Sequence, residues 1–321
     1  GISDLTGIED FTVLSYLSCG WNNLTSPDLS NNTVLTVLYL NSNELTSLDV
    51  SNNTALETLN LNSNYELISL DVSGATALTD LNCNDTQLTS LDVSNNTALE
   101  TLECNNTPLI SLDLSSNTAL ETVYCEDTQL TSLDVSNHPT LTYLNLSDNS
   151  LLTSVNVSGA AALTDLLTYG SSILNSLDVT GAISLTKLMC GYNDLISLDL
   201  GTNTSLDRLQ ISYNQLTSLD VSANTALTYL DCYDNELTSL DVSSNTALIE
   251  LYCGINQFTS LDVSTNTALI ELMIDNSEVS SLDLSNNTAL ISLRCYNTQL
   301  TSLDLSSNTA LESIKCYDNQ L

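Results

Sequence analysis

The sequence predicts a mainly β fold, a right-handed solenoid of about fourteen turns with two short parallel strands per turn and little or no α-helix. The first observation is a period. Turns open at Leu14, Leu35, Leu56, Leu78, Leu99, Leu120, Leu141, Leu163, Leu185, Leu206, Leu227, Leu248, Leu269, Leu290 and Leu311, in steps of 21 or 22 residues along the 321-residue chain. Self-similarity at such a period marks units that bury their apolar side only against their neighbours. The second is alternation: each turn holds two LxxLxL phrases in which apolar and polar residues trade places with the period of a half-buried strand. The third is what separates the phrases. Asn, Asp, Ser, Thr and Gly favour turns by bonding their own backbone or accepting left-handed dihedrals, and no apolar stripe of helical spacing is long enough to form a helix.

Taken in chain order, residues 1–13 form a partial first repeat, residues 14–310 fourteen full repeats and residues 311–321 a partial last one, within a single repeat domain. In each repeat the first phrase varies, as in Leu227 to Cys232 (LTYLDC), and the second is nearly constant, LTSLDV or LISLDL. A 42% apolar composition is sufficient for a Leu-filled interior. Solenoids need polar caps over their terminal cores, yet the chain stops at Leu321 in mid-repeat and shows no leader. The expectation is a stretch of a longer protein.

The consensus LxxLxCxxNxLxxLDVSxNTA, with its Asn at Asn22, Asn43, Asn64, Asn193, Asn214, Asn235, Asn256 and Asn319, resembles the leucine-rich repeat. It is most similar to the short nested bacterial class, whose 21-residue unit carries two LxxLxL segments and which builds large secreted and surface proteins of Bacteroidetes. The opening DLTGIEDFTVLSYLSC resembles the entry to such arrays. The resemblance covers essentially the whole chain and departs around Val155 to Ser184, where the Asn is lost and Gly170, Ser171 and Ser172 intervene. That stretch reads as a tolerated insertion, with a bulge shaping a binding notch as the alternative. The resemblance implies a non-enzymatic binding scaffold, secreted or attached to a cell surface, with adhesion as its role.

Charge narrows the partners. Thirty-nine Asp and Glu oppose four Lys and Arg, for a net charge of −35. Nucleic acid is disfavoured, because affinity for phosphate backbones comes from Lys and Arg, and an anionic membrane surface is disfavoured likewise. No apolar run approaches the ~20 residues of a membrane span. With one His and neither a Ser/His/Asp set nor a phosphate loop standing out from the repeat, enzymatic chemistry is not expected. Protein or extracellular polysaccharide are the expected partners, with no cofactor required and Ca²⁺ as an option.

In a stacked repeat, chemistry is read down columns. Cys19, Cys83, Cys104, Cys125, Cys190, Cys232, Cys253, Cys295 and Cys316 share a slot that other turns fill with Leu40, Leu61, Leu146, Ile211 or Ile274, which identifies them as interior fillers. No CxxC pair or accompanying His points to zinc. A second column holds Asp28, Asp49, Asp71, Asp92, Asp113, Asp134, Asp178, Asp199, Asp220, Asp241, Asp262, Asp283 and Asp304, interrupted only by Asn156, with Ser26, Ser47 and their equivalents two residues before. At a strand spacing of about 4.8 Å, each adjacent Asp pair repels by roughly 0.9 kcal/mol even in bulk water. Ser hydroxyls and turn amides donating to each carboxylate, with some raised pKa values left over, are the preferred offset. Bound Ca²⁺, which would make the chain a stabilised spacer, is the alternative.

The variable phrase supplies the candidate ligand face. Tyr39, Tyr124, Tyr252, Arg294 and Lys315 point outward from it, Tyr143, Lys187, Arg208 and Tyr229 flank them, and Trp21, Tyr192, Tyr213, Tyr233, Tyr296 and Tyr317 follow the strand. All four basic residues thus share one face. Keeping one side constant and varying the other is the pattern of a recognition strip, since Tyr, Trp and Arg are enriched among interface anchors; strand propensity alone is the competing explanation. The same rings could stack on sugars, making the chain a carbohydrate-binding module. His138 occupies a turn slot that other repeats fill with Asn53, Asn96 or Asn224 and reads as a turn substitution.

Overall fold

The computed structural model describes residues 1–321 as a parallel β-solenoid of about 21 residues per turn, in two compact units, residues 1–163 and 164–321. The first unit opens with a single 3₁₀ turn, Ile8–Asp10. Its sheet then takes one three-residue strand from every variable phrase: Tyr16–Ser18, Val37–Tyr39, Thr58–Asn60, Asp80–Asn82, Thr101–Glu103, Thr122–Tyr124 and Tyr143–Asn145. Neighbours run parallel and in register, so that Tyr16 faces Val37 and Thr122 faces Tyr143. The second unit repeats the arrangement with Asp165–Leu167, Lys187–Met189, Arg208–Gln210, Tyr229–Asp231, Glu250–Tyr252, Glu271–Met273, Ser292–Arg294 and Ser313–Lys315.

Each strand is an x-Leu-x triplet, with Val or Ile for Leu in one turn each, and the pleat turns the middle side chain inward and the flanking two outward. Leu38, Leu102, Leu209, Leu230 and Leu251 are accordingly buried. A 22-residue step leaves the register intact, as Asp165 opposite Lys187 shows, because the extra residue is taken up between strands. The irregular stretch from Val155 to Ser184 likewise keeps its strand, with Thr168 in the Cys slot and Ser171 in the Asn slot, both fully buried. It forms an ordinary turn of the solenoid rather than a notch.

The constant phrase behaves differently from the two-strand expectation. It pairs as a ladder only where Ser47–Asp49 meets Ser69–Asp71 and Ser132–Asp134 meets Ser154–Asn156 in the first unit, with Ser176–Asp178 the one strand of this kind in the second. In the other turns it is extended but unladdered, held by single bonds as long as 3.3 Å (Ile110 N–H to Thr89 O, Ser280 N–H to Thr259 O). The variable side by contrast has bonds of 2.8 Å, such as Cys232 N–H to Tyr252 O. Like charges directly opposite one another oppose close pairing, and each Asp bends its chain out of the strand by accepting the amide two residues on.

Two asparagine ladders knit the turns. In the first, Asn235 Nδ2 donates to Ile211 O one turn back (2.9 Å) and to its own turn's Cys232 O (3.2 Å), while its Oδ1 accepts Leu216 N–H (3.1 Å). In the second, Asn32, Asn53, Asn96, Asn117, Asn203, Asn224, Asn245, Asn266, Asn287 and Asn308 each donate Nδ2 to two carbonyls of the preceding turn. His138 belongs to this second ladder: fully buried, its Nε2 lies 3.0 Å from Leu114 O, the carbonyl an Asn would use there, so Nε2 carries the hydrogen.

Candidate functional site

The face carrying the candidate residues is built by four outward positions per turn: the first and third residues of the strand, the residue two further on, and its successor. That successor is left-handed in every regular turn, with φ between 47° and 60° at the non-glycine residues. Most turns place Asn, Asp or Ser there, which tolerate it. Trp21 (φ 58°), Tyr192 (φ 56°) and Tyr213 (φ 57°) occupy the same position as bulky rings, at a cost of about 1–2 kcal/mol each.

In the first unit the predicted residues form small groups. Tyr39 meets Tyr16 edge to face at 5.9 Å, and Tyr124 meets Tyr143 at 5.0 Å. Trp21 stands out into solvent at 82% exposure. In the second unit they converge further. Tyr169, Tyr192, Tyr213 and Tyr233 form a continuous run of rings with centroids 5.0, 4.1 and 6.0 Å apart. Hydrogen bonding with Tyr192 and burial push the Tyr213 phenol up to about 12. Lys187 lies 4.0 Å from Asp165, the Arg208 guanidinium sits 4.4 Å over the Tyr229 ring, and Tyr229 meets Tyr252 edge-on at 5.6 Å. Tyr296 and Tyr317 stack at 4.6 Å with their planes nearly parallel, and Lys315 is exposed beside them. All four basic residues lie on this face, as the sequence reading has them.

Within the second unit a cavity of about 270 Å³ opens on this face, lined by Tyr213, Asp231, Tyr233, Tyr252, Met273 and Arg294. Beside it Asp275 is fully buried, taking a hydrogen bond from the Tyr233 hydroxyl (2.9 Å) and an ion pair from Arg294 Nε (3.4 Å); Arg294 also donates to Tyr296 Oη (3.1 Å). Gly254 lies in the same column between Tyr233 and Asp275, where a Cβ would come within 2.8 Å of the Tyr233 ring. Its missing side chain is what lets Tyr233 reach across two turns. A larger hollow of about 640 Å³ lies among residues 3–31 of the first unit, without an aromatic or basic residue in its lining.

Sequence reasoning missed Tyr16, Tyr169, Asp231, Met273 and Asp275. The signal was available: each occupies the same outward columns as the residues it did select.

The Asp column has a different balance from the one expected. In all thirteen turns one Asp oxygen accepts the amide two residues on, at 2.8–3.0 Å, as Ser30 N–H to Asp28 and Ser243 N–H to Asp241. The donor is the turn residue two positions on, a serine in most turns whose hydroxyl bonds the carboxylate as well, so the expected turn amides and Ser hydroxyls are both present. These bonds from Ser243 and its equivalents hold Asp28, Asp71, Asp92, Asp113, Asp134, Asp220, Asp241, Asp262, Asp283 and Asp304 below the usual carboxylate range, where raised values were expected. Charge-assisted bonding to the serine hydroxyl and to the fixed amide outweighs solvent-screened repulsion between exposed neighbours. Nowhere do three or more His, Cys, Asp or Glu side chains gather as a metal would need. The cysteines are free thiols and, except for the half-buried Cys19 and Cys316, buried; Cys104 and Cys125 bring their sulfurs within 2.9 Å. Burial pushes the Cys19, Cys83, Cys190, Cys232, Cys253 and Cys295 thiols up, Cys295 to about 12.

No protein-family model matches the sequence, and no curated protein does. Among solved structures, the chain is similar to the functional domain of InlJ from Listeria monocytogenes, described as including a cysteine ladder: 38% identity, TM-score 0.77, covering 99% of this chain and 66% of that one, just under two thirds of its length. It is also similar to the leucine-rich repeat protein LIC12759 of Leptospira interrogans, at 21% identity and TM-score 0.70, covering 100% and 88%. The internalin InlF of Listeria monocytogenes aligns at 23% identity and TM-score 0.61, covering 98% and 83%. The last two likenesses are of fold alone.

Proposed function

We propose that this chain, a leucine-rich repeat solenoid, is a non-enzymatic scaffold that binds a protein partner through its variable strand face, on a cell surface or in secreted form. The observation that carries the reading is the segregation of side chains. Every Lys and Arg and most aromatic rings share the laddered face, three of the rings in strained left-handed positions, while the opposite phrase repeats Ser-Leu-Asp with little change. Residues held in costly conformations cluster where a surface is used. The likeness to the functional domain of InlJ and to an internalin supports a binding role, and the resemblance to bacterial surface arrays supports adhesion and the extracellular setting. A net charge of −35 steers the chain toward basic or cation-bridged surfaces.

The carbohydrate reading is weakened by ring geometry. Sugars pack on the flat face of a ring, but Tyr192 lies on Tyr213 (interplanar angle 25°) and Tyr296 on Tyr317 (6°), covering those faces with one another. Each stacked pair therefore presents fewer open faces than single rings would, which leaves Trp21 as the one fully open platform. The test is binding to arrayed extracellular proteins and glycans, in Ca²⁺ and in chelator, with the variants Tyr124→Ala, Tyr143→Ala and Tyr317→Ala beside the Asp-face variant Asp113→Asn. Protein hits weakened about 30-fold by a tyrosine change, the effect of losing an interface anchor, and untouched by Asp113→Asn are expected. Glycan-only hits, or loss confined to Asp113→Asn or to chelator, would overturn the reading.

A further inference from the structure

The cavity between Tyr213 and Arg294 holds more negative charge than its surroundings neutralise. Asp231 lines it at 9% exposure and is held by the Tyr233 amide (3.1 Å) and by the Ser212 and Gln210 side chains, with no basic residue paired to it. Of the chain's two ion pairs, Lys187 with Asp165 lies away from the cavity, and Arg294 with Asp275 forms part of its wall without pairing to Asp231. On the next two strands Glu250 and Glu271 face each other in register, and the single Tyr252 hydroxyl lies 2.7 Å from one and 3.0 Å from the other. One hydroxyl hydrogen cannot serve both at once; Glu271 also accepts from the Ser292 hydroxyl (3.3 Å), and neither carboxylate has a basic partner. Three carboxylates thus lack a cation, and for the buried Asp231 an unpaired charge is costly.

The walls say which cation fits. Tyr213, Tyr233 and Tyr252 surround the space beside the Met273 thioether, against which Arg294 Nη1 lies at 3.4 Å. Aromatic faces attract an organic cation through their quadrupole, and methionine adapts to an aliphatic stem. No three ligands converge as a metal ion requires. At about 270 Å³ the space lies below the 300–1,000 Å³ of ordinary small-molecule sites and suits one side chain. Arg294, tied to Asp275 and Tyr296, lends its charge to them and not to Asp231.

We propose that this cavity is a binding site for an alkylammonium group, delivered as a lysine side chain of the partner protein, with Asp231 as its counter-ion and the three tyrosines and Met273 around its stem. The proposal rests on the reading of this face as a recognition surface.

The test titrates the full chain, by chemical-shift perturbation, with three probes: Nα-acetyl-lysine methylamide, its uncharged norleucine counterpart and n-butylammonium. Saturable binding of the lysine probe, none of the norleucine probe, and at least a tenfold loss in Asp231→Asn are expected, as for losing a hydrogen bond to a charged group. Tighter binding of the lysine probe than of n-butylammonium identifies a peptide-borne lysine as the source; equal binding identifies a free amine and overturns the lysine assignment. Met273→Lys provides a second variant whose tethered ammonium fills the site; it should raise the melting temperature and abolish probe binding. Norleucine binding as well as lysine, or unchanged probe binding in either variant, would overturn the proposal. If the probes fail while Tyr124→Ala and Tyr317→Ala still lose the protein partner, the ammonium site falls and the recognition face stands.

Discussion

Replacing Asn245 by Ala is the sharpest test of what holds the turns together. Its Nδ2 donates to Val221 O at 3.0 Å and to Asn224 O at 2.8 Å, at complete burial, while its Oδ1 has no partner. Each of those carbonyls keeps one bond when the amide is removed, Val221 O from Asn224 N–H and Asn224 O from Leu227 N–H. Neither is orphaned, so the cost per lost bond is close to the net value of ~1 kcal/mol rather than a full desolvation penalty. Two bonds give about 2 kcal/mol for Asn245→Ala. Asn245→Asp puts a carboxylate against the same two carbonyls and should cost about 3–5 kcal/mol, as an uncompensated buried charge does. Asn245→His, by the precedent of His138, keeps one bond and should cost about 1 kcal/mol. Chemical denaturation followed by circular dichroism gives the totals, and hydrogen exchange shows where protection is lost. Stability in a stacked repeat is a sum of nearest-neighbour terms, so the loss should centre on the turns beside residue 245. A loss below about 0.5 kcal/mol for Asn245→Ala, within the range of a neutral surface change, would refute the reasoning.

Two further outcomes follow from the same geometry. Because the Ser243 bonds hold the folded Asp241 carboxyl below its ordinary value, its contribution is complete above about pH 4, the unfolded value, and is lost as pH falls through the lowered folded one. Asp241→Asn should therefore lower the melting temperature modestly at pH 7 and match the parent near the acid limit, although Asn keeps the amide bond, as Asn156 does with Ser158 N–H at 3.1 Å. A rise at pH 7 would mean that repulsion from Asp262 and Asp220 dominates after all. Trp21→Asn, which relieves a left-handed ring with no ring partner, should stabilise by about 1 kcal/mol. Tyr213→Asn should leave stability nearly unchanged in denaturation, since its stacking on Tyr192, worth ~0.5–1.5 kcal/mol, goes with the strain; equal effects at the two positions would count against this account.

The solenoid was legible because the period enforces it: once Leu230 must face inward, so must Leu251 and Leu272. The same logic placed the cysteines in the interior and His138 in an Asn slot. Less legible was anything that depends on a small difference between large terms. Whether the Ser-Leu-Asp phrases pair, and which way an Asp carboxyl shifts, turns on the serine hydroxyl and on amide bonds of about 2.9 Å that only the folded turn brings to it. The cavity was hidden for another reason. Reading down columns treats turns as equivalent, whereas Tyr213, Asp231, Tyr252 and Arg294 come from four different turns and meet only because Gly254 leaves space beside Tyr233.

The second asparagine ladder has an orientation. Every Asn in it reaches toward lower residue numbers, as Asn266 does to Val242 and Asn245, and its Oδ1 accepts nothing in return. A freshly added turn must find a finished surface to dock on, whereas that surface asks nothing of the turn to come. Such a chain can grow like masonry, course upon course, in the order in which a ribosome or an export channel delivers it. The arrangement makes synthesis order and assembly order coincide, and a chain started from the opposite end would lay its asparagines against nothing.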